Sequence, residues 1–300
     1  MNTFPETTMD AILITGPTAS GKSALALELA RAHGGEVINA DSMQVYDTLR
    51  VLTARPDVAE MGGIRHHLYG TIPAGQAFST GEWLRAVEGV LGDIRSRGKL
   101  PIFVGGTGLY FKALAGGLSD MPEVPAEIRA RWRRRLDEDG PWALHAELGA
   151  RDPEMADQLS TSDGQRIVRA LEIMEASGRS LASFQTGAGK ALVAATRARK
   201  LIVQPDRTVL HDRINRRFAA MFDHGAIEEV EALLRLELSR DLPVMKAIGV
   251  PQVAAFLRGE LTREQVISQA SAATRQYAKR QMTWFRNQLD ESWERNTNPD

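Results

Sequence analysis

The sequence predicts an α/β fold: a parallel sheet flanked by helices, with an all-helical segment inserted into it. Three observations carry this. Short apolar runs alternate with helix-period segments through the first third of the chain. A glycine-rich turn joins the first apolar run to the first helix. Residues 120–197 are charged, arginine-rich and helical in pattern, and one more apolar run follows them.

In chain order, Ala11-Ile12-Leu13-Ile14-Thr15 reads as a short buried strand, and 16–21 as a loop. Ser23 to Ala32 has leucines at 25 and 29 on one face and ends at His33-Gly34-Gly35, so it is a helix. Glu36 to Ala40 is a second strand. Ser79, with Glu82 three residues on, predicts a capping box for a helix from Glu82 to about Arg97. Pro101 to Val104 is a third buried strand, running into Gly105-Gly106. Strands alternating with helices imply a parallel sheet covered on both faces. Pro122 and Pro125 mark a linker, and strand character returns at Lys200 to Val203. The predicted organisation is a discontinuous core of 10–119 and 198–290, a helical insertion at 120–197, and flexible tails at 1–9 and 291–300.

With 300 residues and 43% hydrophobic content, the chain can bury a full core. Lys+Arg 37 against Asp+Glu 38 gives a net charge of -1, so any nucleic-acid contact must come from local basic patches. The absence of cysteine excludes disulfides and cysteine metal sites and fits a reducing compartment. The first residues, MNTFPETTMD, are acidic and polar, unlike a signal or transit peptide, and each apolar stretch is interrupted by charges or glycines. These features predict a soluble cytoplasmic protein.

Gly16-Pro17-Thr18-Ala19-Ser20-Gly21-Lys22-Ser23 matches G-x-x-x-x-G-K-[ST] between an apolar strand and a helix. Glycines let successive amides turn inward as an anion nest, and the helix N-terminus adds its dipole. Lys22 brings a full charge to the phosphates, and the Ser23 hydroxyl is placed for Mg²⁺ or a phosphate oxygen. A kinase or ATPase adds an Asp at the end of a second apolar strand. Here that strand ends in Gly105-Gly106-Thr107-Gly108, and Asp206 follows the last strand only beyond a proline.

Asp41 lies at the carboxyl end of the second strand, the edge where open parallel sheets bind ligands. It is either a general base or metal ligand, or a turn residue. Ser42, Met43, Gln44 and Tyr46 follow it, and Gln44 has the groups to read an adenine edge bidentately. Thr107 offers a hydroxyl at the same edge. Arg129, Arg131, Arg133, Arg134 and Arg135 crowd one helix of the insertion, and Arg166 and Arg169 open another behind a cap at Asp163. They serve either phosphates or a solvated face. Arg213 and Arg217, four apart, either clamp a diphosphate or pair with carboxylates such as Asp212 or Glu228. Near the C-terminus Arg275, Lys279 and Arg286 share a helix face opposite Tyr277 and Trp284, whose rings read as core.

Together, 16–23, Asp41-Ser42-Met43-Gln44-Val45-Tyr46 and Val104-Gly105-Gly106-Thr107-Gly108-Leu109-Tyr110 resemble the ordered signature of tRNA dimethylallyltransferases. Arg166-Ile167-Val168-Arg169-Ala170-Leu171-Glu172, Met245-Lys246-Ala247-Ile248-Gly249 and the stretch 273–281 continue it. The chain departs from the pattern at 52–56, at Ser162-Asp163-Gly164 and at Val250-Pro251. The resemblance, which spans about 11–287, implies a P-loop NTPase-like core with a helical insertion that contacts tRNA. It also implies dimethylallyl diphosphate and Mg²⁺ as partners, and the exocyclic N6 amine of the adenine 3′ to the anticodon as acceptor. On that basis Asp41 is the base, Lys22, Ser23, Arg213 and Arg217 assist departure of diphosphate held by 16–23, and Ser23 holds the metal. Asp41, Ser42, Met43, Gln44, Thr107, Arg129, Gln165, Arg166, Ile167, Val168, Arg169, Lys246, Ala247, Ile248 and Gly249 contact tRNA. The protein is expected to act as a monomer. A small-molecule or nucleotide kinase, an adenylate prenyltransferase and a non-enzymatic RNA-binding module are the competing readings.

Overall fold

The computed structural model describes residues 9–185 and 189–297. Its elements in chain order are β1 (Ala11–Thr15), α1 (Lys22–His33), β2 (Gly35–Asn39), β3 (His66–His67), α2 (Thr80–Ser96), β4 (Leu100–Gly105) and α3 (Gly108–Gly116). Then come α4 (Ala126–Arg151), α5 (Pro153–Gln158), α6 (Gly164–Ser177) and α7 (Leu181–Phe184). The chain ends with β5 (Ala198–Val203), α8 (Arg207–Met221), α9 (Ile227–Leu234), α10 (Val250–Leu257), α11 (Arg263–Gln288) and β6 (Glu294–Asn296).

The chain divides into two units, one of 1–115 with 192–300 and one of 116–191. In the first, all strand pairs are parallel, in the order β3-β2-β4-β1-β5-β6. Successive side chains of a strand face opposite ways. Ile12 and Ile14 therefore join Ala26, Leu29 and Ala30 of α1 on one face. Ala11 and Leu13 meet Trp83, Val87, Leu91 and Ile94 of α2, and Phe111 and Leu114 of α3, on the other. That double burial is why the strands read as unbroken apolar runs. A separate cluster packs Val45, Tyr46 and Leu49 against Phe218, Val230, Val253 and Val266 from α8 to α11. In this way the segment after Asp41 is fixed from below.

The α2 capping box is present: Ser79 Oγ accepts from the Glu82 amide at 3.2 Å, and Glu82 Oε2 accepts from the Ser79 amide at 2.7 Å. Gly34, with φ 61°, ends α1 in the left-handed conformation that glycine permits. The expected C-terminal tail is corrected for part of its length. Glu294–Asn296 pair with Leu201, Ile202 and Val203, and Trp293 is buried with an edge-on contact to Phe111. A three-residue polar edge strand has no periodicity to announce it. At the other end, Met9 packs on the core and Asp10 pairs with Arg197, while residues 1–8 lie outside the described residues.

The second unit is helical throughout its described elements, with a core of its own from Trp132, Leu144, Leu148, Ile167, Leu171 and Ile173. Its return boundary is six residues earlier than the composition suggests. Val193 is fully buried with the first unit's core, and its amide donates to the Leu114 carbonyl at 3.2 Å.

Candidate active site

β1 lies between β4 and β5, although the next strand in sequence is β2, so strand order reverses at its carboxyl end. The 16–23 loop leaves β1 at this point. A Cβ on Gly16 would stand 2.4 Å from the Val203 carbonyl oxygen, so only glycine lets the loop depart between the strands. Ala19 holds φ 63°, a left-handed value uncommon for alanine. Gly21 precedes α1 without a side-chain cap. The amides of Gly21, Lys22 and Ser23 donate to no acceptor among the described residues. Orphan donors at a helix start form a ready anion site. The Thr18 amide is already engaged, donating to Gln281 Oε1 at 3.0 Å, so the free cradle is narrower than the whole 16–23 motif.

Positive charge converges on the cradle. Lys22 Nζ donates to the Pro17 carbonyl at 3.2 Å. Burial lowers the Lys22 ammonium to about 8, with Arg217 pushing the same way and the charge of Asp41 opposing both. Arg217 donates to Thr18 Oγ1, and burial lowers its pKa against the pull of Asp41. Arg213 Nη1 lies 3.5 Å from the Ser20 carbonyl oxygen. Both arginines thus face the loop, as the clamp alternative requires. Ser23 is exposed on the first turn of α1, and the buried Ser20 hydroxyl has no hydrogen-bond partner among the described residues.

Asp41 is held by Asn39, a fully buried residue of β2 that no motif marks. Asn39 Oδ1 accepts from the Asp41 amide at 2.9 Å, and its Nδ2 donates to the Asp41 carbonyl at 3.0 Å. Asp41 Oδ1 accepts from the Met43 amide at 2.9 Å. That is one of the two alternatives weighed for Asp41, a turn residue, yet its charge also acts on Lys22, Arg217, Tyr69, Tyr110 and Tyr277. The three phenols titrate higher than usual, chiefly through burial and then through Asp41. The carboxylate therefore belongs to the same polar site as the cradle cations. Thr107 Oγ1 accepts from the Ser42 amide at 2.9 Å, and the Thr107 amide donates to the Ala40 carbonyl at 3.2 Å, tying the second glycine turn to the Asp41 segment.

Several expected contacts take another form. Gln44 spends both N–H donors on the Thr53 and Ala54 carbonyls, at 2.8 and 2.9 Å, so it has no donor left for a bidentate adenine contact. Ile167 and Val168 are core residues of the second unit, at 0% and 5% exposure, and cannot present side chains to a ligand. Ala247 and Gly249 are buried, whereas Lys246 is exposed and 3.5 Å from Asp241. The family resemblance carried these residues over as contiguous runs, which take in buried and exposed positions alike. Gln165 and Arg166 are exposed, and Arg169 pairs with Glu172 at 3.3 Å. In α4, Arg131 pairs with Glu175, and Arg135 with Asp139 and Glu147. Arg129, Arg133 and Arg134 are exposed without an ion pair among the described residues. Trp284 is partly buried and packs edge-on against Phe285 at the margin of the core, and Tyr277 is likewise half-buried. Asp206 is exposed at the start of α8. Among the described residues no three His, Asp or Glu side chains gather to hold a metal.

The sequence model of IPP transferase matches residues 44–288, and that of isopentenyl transferase matches 9–74. The tRNA dimethylallyltransferase of Rhizobium meliloti is 65% identical over 292 residues, 97% of this chain and 96% of its own. The chain belongs to the IPP transferase family. A Sinorhizobium medicae protein of the same name is 63% identical over 287 residues, covering 96% of this chain and 94% of its own. Among solved structures, the full-length tRNA isopentenylpyrophosphate transferase of Bacillus halodurans superimposes with TM-score 0.67 at 33% identity, over 96% of this chain and 89% of its own. A eukaryotic dimethylallyltransferase crystallised acting on tRNA gives TM-score 0.76 at 28% identity, over 92% and 70%. As a member of this family the chain is a prenyl-transferring enzyme, and its core is the P-loop NTPase-like α/β fold.

Proposed function

We propose that this enzyme transfers the dimethylallyl group of dimethylallyl diphosphate to the exocyclic N6 amine of the adenine 3′ to the anticodon in tRNA. The observation that carries the reading is the pairing of a cationic, amide-lined cradle with a single carboxylate, Asp41, whose charge acts on Lys22 and Arg217. The names of the relatives support the same substrates.

An adenine amine is a weak nucleophile because its lone pair is delocalised into the ring. Its nitrogen attacks the C1 carbon of the donor, and the C1–O bond breaks with its electron pair passing to the diphosphate. The allylic carbon tolerates partial cation character, so stabilising the departing diphosphate dominates. The free amides of Gly21, Lys22 and Ser23, the Lys22 ammonium and the Arg213 and Arg217 guanidinium groups supply that stabilisation. Asp41 accepts the amine proton. The acceptor base must leave its stack to reach the donor. Exposed Arg129, Gln165, Arg166 and Lys246 are the groups available to hold tRNA.

Mg²⁺ binds through few protein groups plus substrate phosphates. Ser23 would hold it together with the diphosphate. When bound, Mg²⁺ supplies Lewis-acid neutralisation of the leaving group. The reading places the protein in the cytoplasm, where tRNA is modified, as a monomer. No described helix is long and apolar enough to cross a membrane.

Purified protein incubated with labelled dimethylallyl diphosphate, Mg²⁺ and bulk tRNA tests the proposal. Nucleoside mass analysis is expected to show an adenosine carrying the five-carbon group. Phosphoryl transfer from ATP to a metabolite, with unmodified tRNA, would replace this reading with the kinase one.

A further inference from the structure

We propose that Gln281 is a positioning residue that sets the spacing between the donor cradle and the proton acceptor. Its side chain lies on α11, is 6% exposed, and bridges two turns that meet nowhere in sequence. Gln281 Oε1 accepts from the Thr18 amide at 3.0 Å, and Gln281 Nε2 donates to the Gly106 carbonyl at 2.9 Å. The orientation of the amide is unambiguous, because the Thr18 N–H can only donate and the Gly106 carbonyl can only accept. A Cβ on Gly106 would stand 2.2 Å from Gln281 Nε2 and 3.5 Å from Asp41 Oδ2. One glycine thus faces both the bridging amide and the carboxylate.

From Gly106 the path to Asp41 is short. Thr107, the next residue, donates its amide to the Ala40 carbonyl and accepts the Ser42 amide at its hydroxyl, bracketing Asp41 on both sides. From Thr18 the path to the cradle is equally short, because its hydroxyl accepts from Arg217. Gln281 therefore joins the phosphate loop, through its two hydrogen bonds, to the turn that braces Asp41. Transfer between two bound substrates depends steeply on their separation, and displacements near 1 Å can cost ~100-fold in rate. A neutral amide suits this place, since a carboxylate would face the Gly106 carbonyl oxygen and the donor diphosphate.

The inference rests on the transfer reaction proposed above, and wild-type enzyme assayed in parallel separates failure of the two. Inactive wild type counts against the reaction; active wild type with unaffected variants counts against Gln281. In Gln281→Met, which keeps length and removes both hydrogen bonds, kcat is expected to fall about tenfold or more with tRNA affinity unchanged. Gln281→Glu supplies a rescue that a purely structural role does not predict. Its protonated carboxyl accepts from Thr18 and donates to Gly106 as the amide does, whereas the ionised form cannot donate. The ratio of its kcat to that of wild type should rise at least about fivefold as pH falls from about 8 to about 6, the ratio cancelling pH effects common to both proteins. If Gln281→Met does not fold, this ratio decides alone. A flat ratio, or kcat within about twofold of wild type in the Met variant, overturns the proposal.

Discussion

Lys22 carries a charge that burial opposes and a diphosphate favours. Its pKa in the free protein is lowered to about 8, so above that pH donor binding must return a proton to it. Donor affinity is therefore expected to weaken as pH rises through 8 to 9, by up to about tenfold per unit, with proton uptake visible by calorimetry in buffers of different ionisation enthalpy. Lys22→Met should bind donor more weakly at pH 7 and show no such slope. A slope that persists in that variant would place the titrating group elsewhere. Asp41 has the complementary task. Asp41→Ala is expected to lower turnover by at least ~100-fold while tRNA affinity stays near wild type, and unchanged turnover would remove Asp41 from the proton transfer. At this scale the sequence offered Lys22, Ser23 and Asp41 as candidates where a motif or a strand end marked them, and the charges of Lys22 and Asp41 act on one another. It missed Asn39 and Gln281, because an amide's importance lies in partners far along the chain. Gln281 meets Thr18 across 263 positions, and no local pattern records that.

The elements split the same way. Strands buried on both faces announce themselves as apolar runs, and β1, β2, β4 and β5 were legible for that reason. β6 was not, since Glu294–Asn296 is polar and pairs only at an edge. Ile167 and Val168, which the family resemblance placed among the tRNA contacts, lie in the core of the second unit, because a contiguous run on a helix turns through buried and exposed faces alike. Capping was legible to the residue at Ser79, where hydroxyl and carboxylate satisfy each other's backbone donors. Ser79→Ala is expected to cost about 1 kcal/mol of stability in a denaturation midpoint while leaving the transfer rate unaltered. A changed rate would mean that α2 reaches the site through more than Trp83, whose indole N–H donates to the Asn39 carbonyl at 2.9 Å.

The chain forms two compact units, one holding the cradle and Asp41, the other carrying exposed arginines on a helical core. The chain leaves and re-enters the first unit at adjacent points, since the Leu192 amide donates to the Leu114 carbonyl at 3.0 Å. Replacing 116–191 with a short linker should therefore leave a folded protein that still binds the donor with the Lys22 pH signature, but no longer modifies tRNA. Retained tRNA modification would take the second unit out of substrate binding. In the proposed mechanism the diphosphate departs into the Lys22 cradle while Asp41 takes the proton of the attacking amine. A crystal structure of the enzyme with a non-hydrolysable donor analogue and an anticodon stem-loop tests it most directly. The diphosphate is expected on the Gly21, Lys22 and Ser23 amides, with the adenine amine within hydrogen-bond reach of Asp41. A diphosphate seated outside that cradle, or an adenine amine that meets a group other than Asp41, would contradict it.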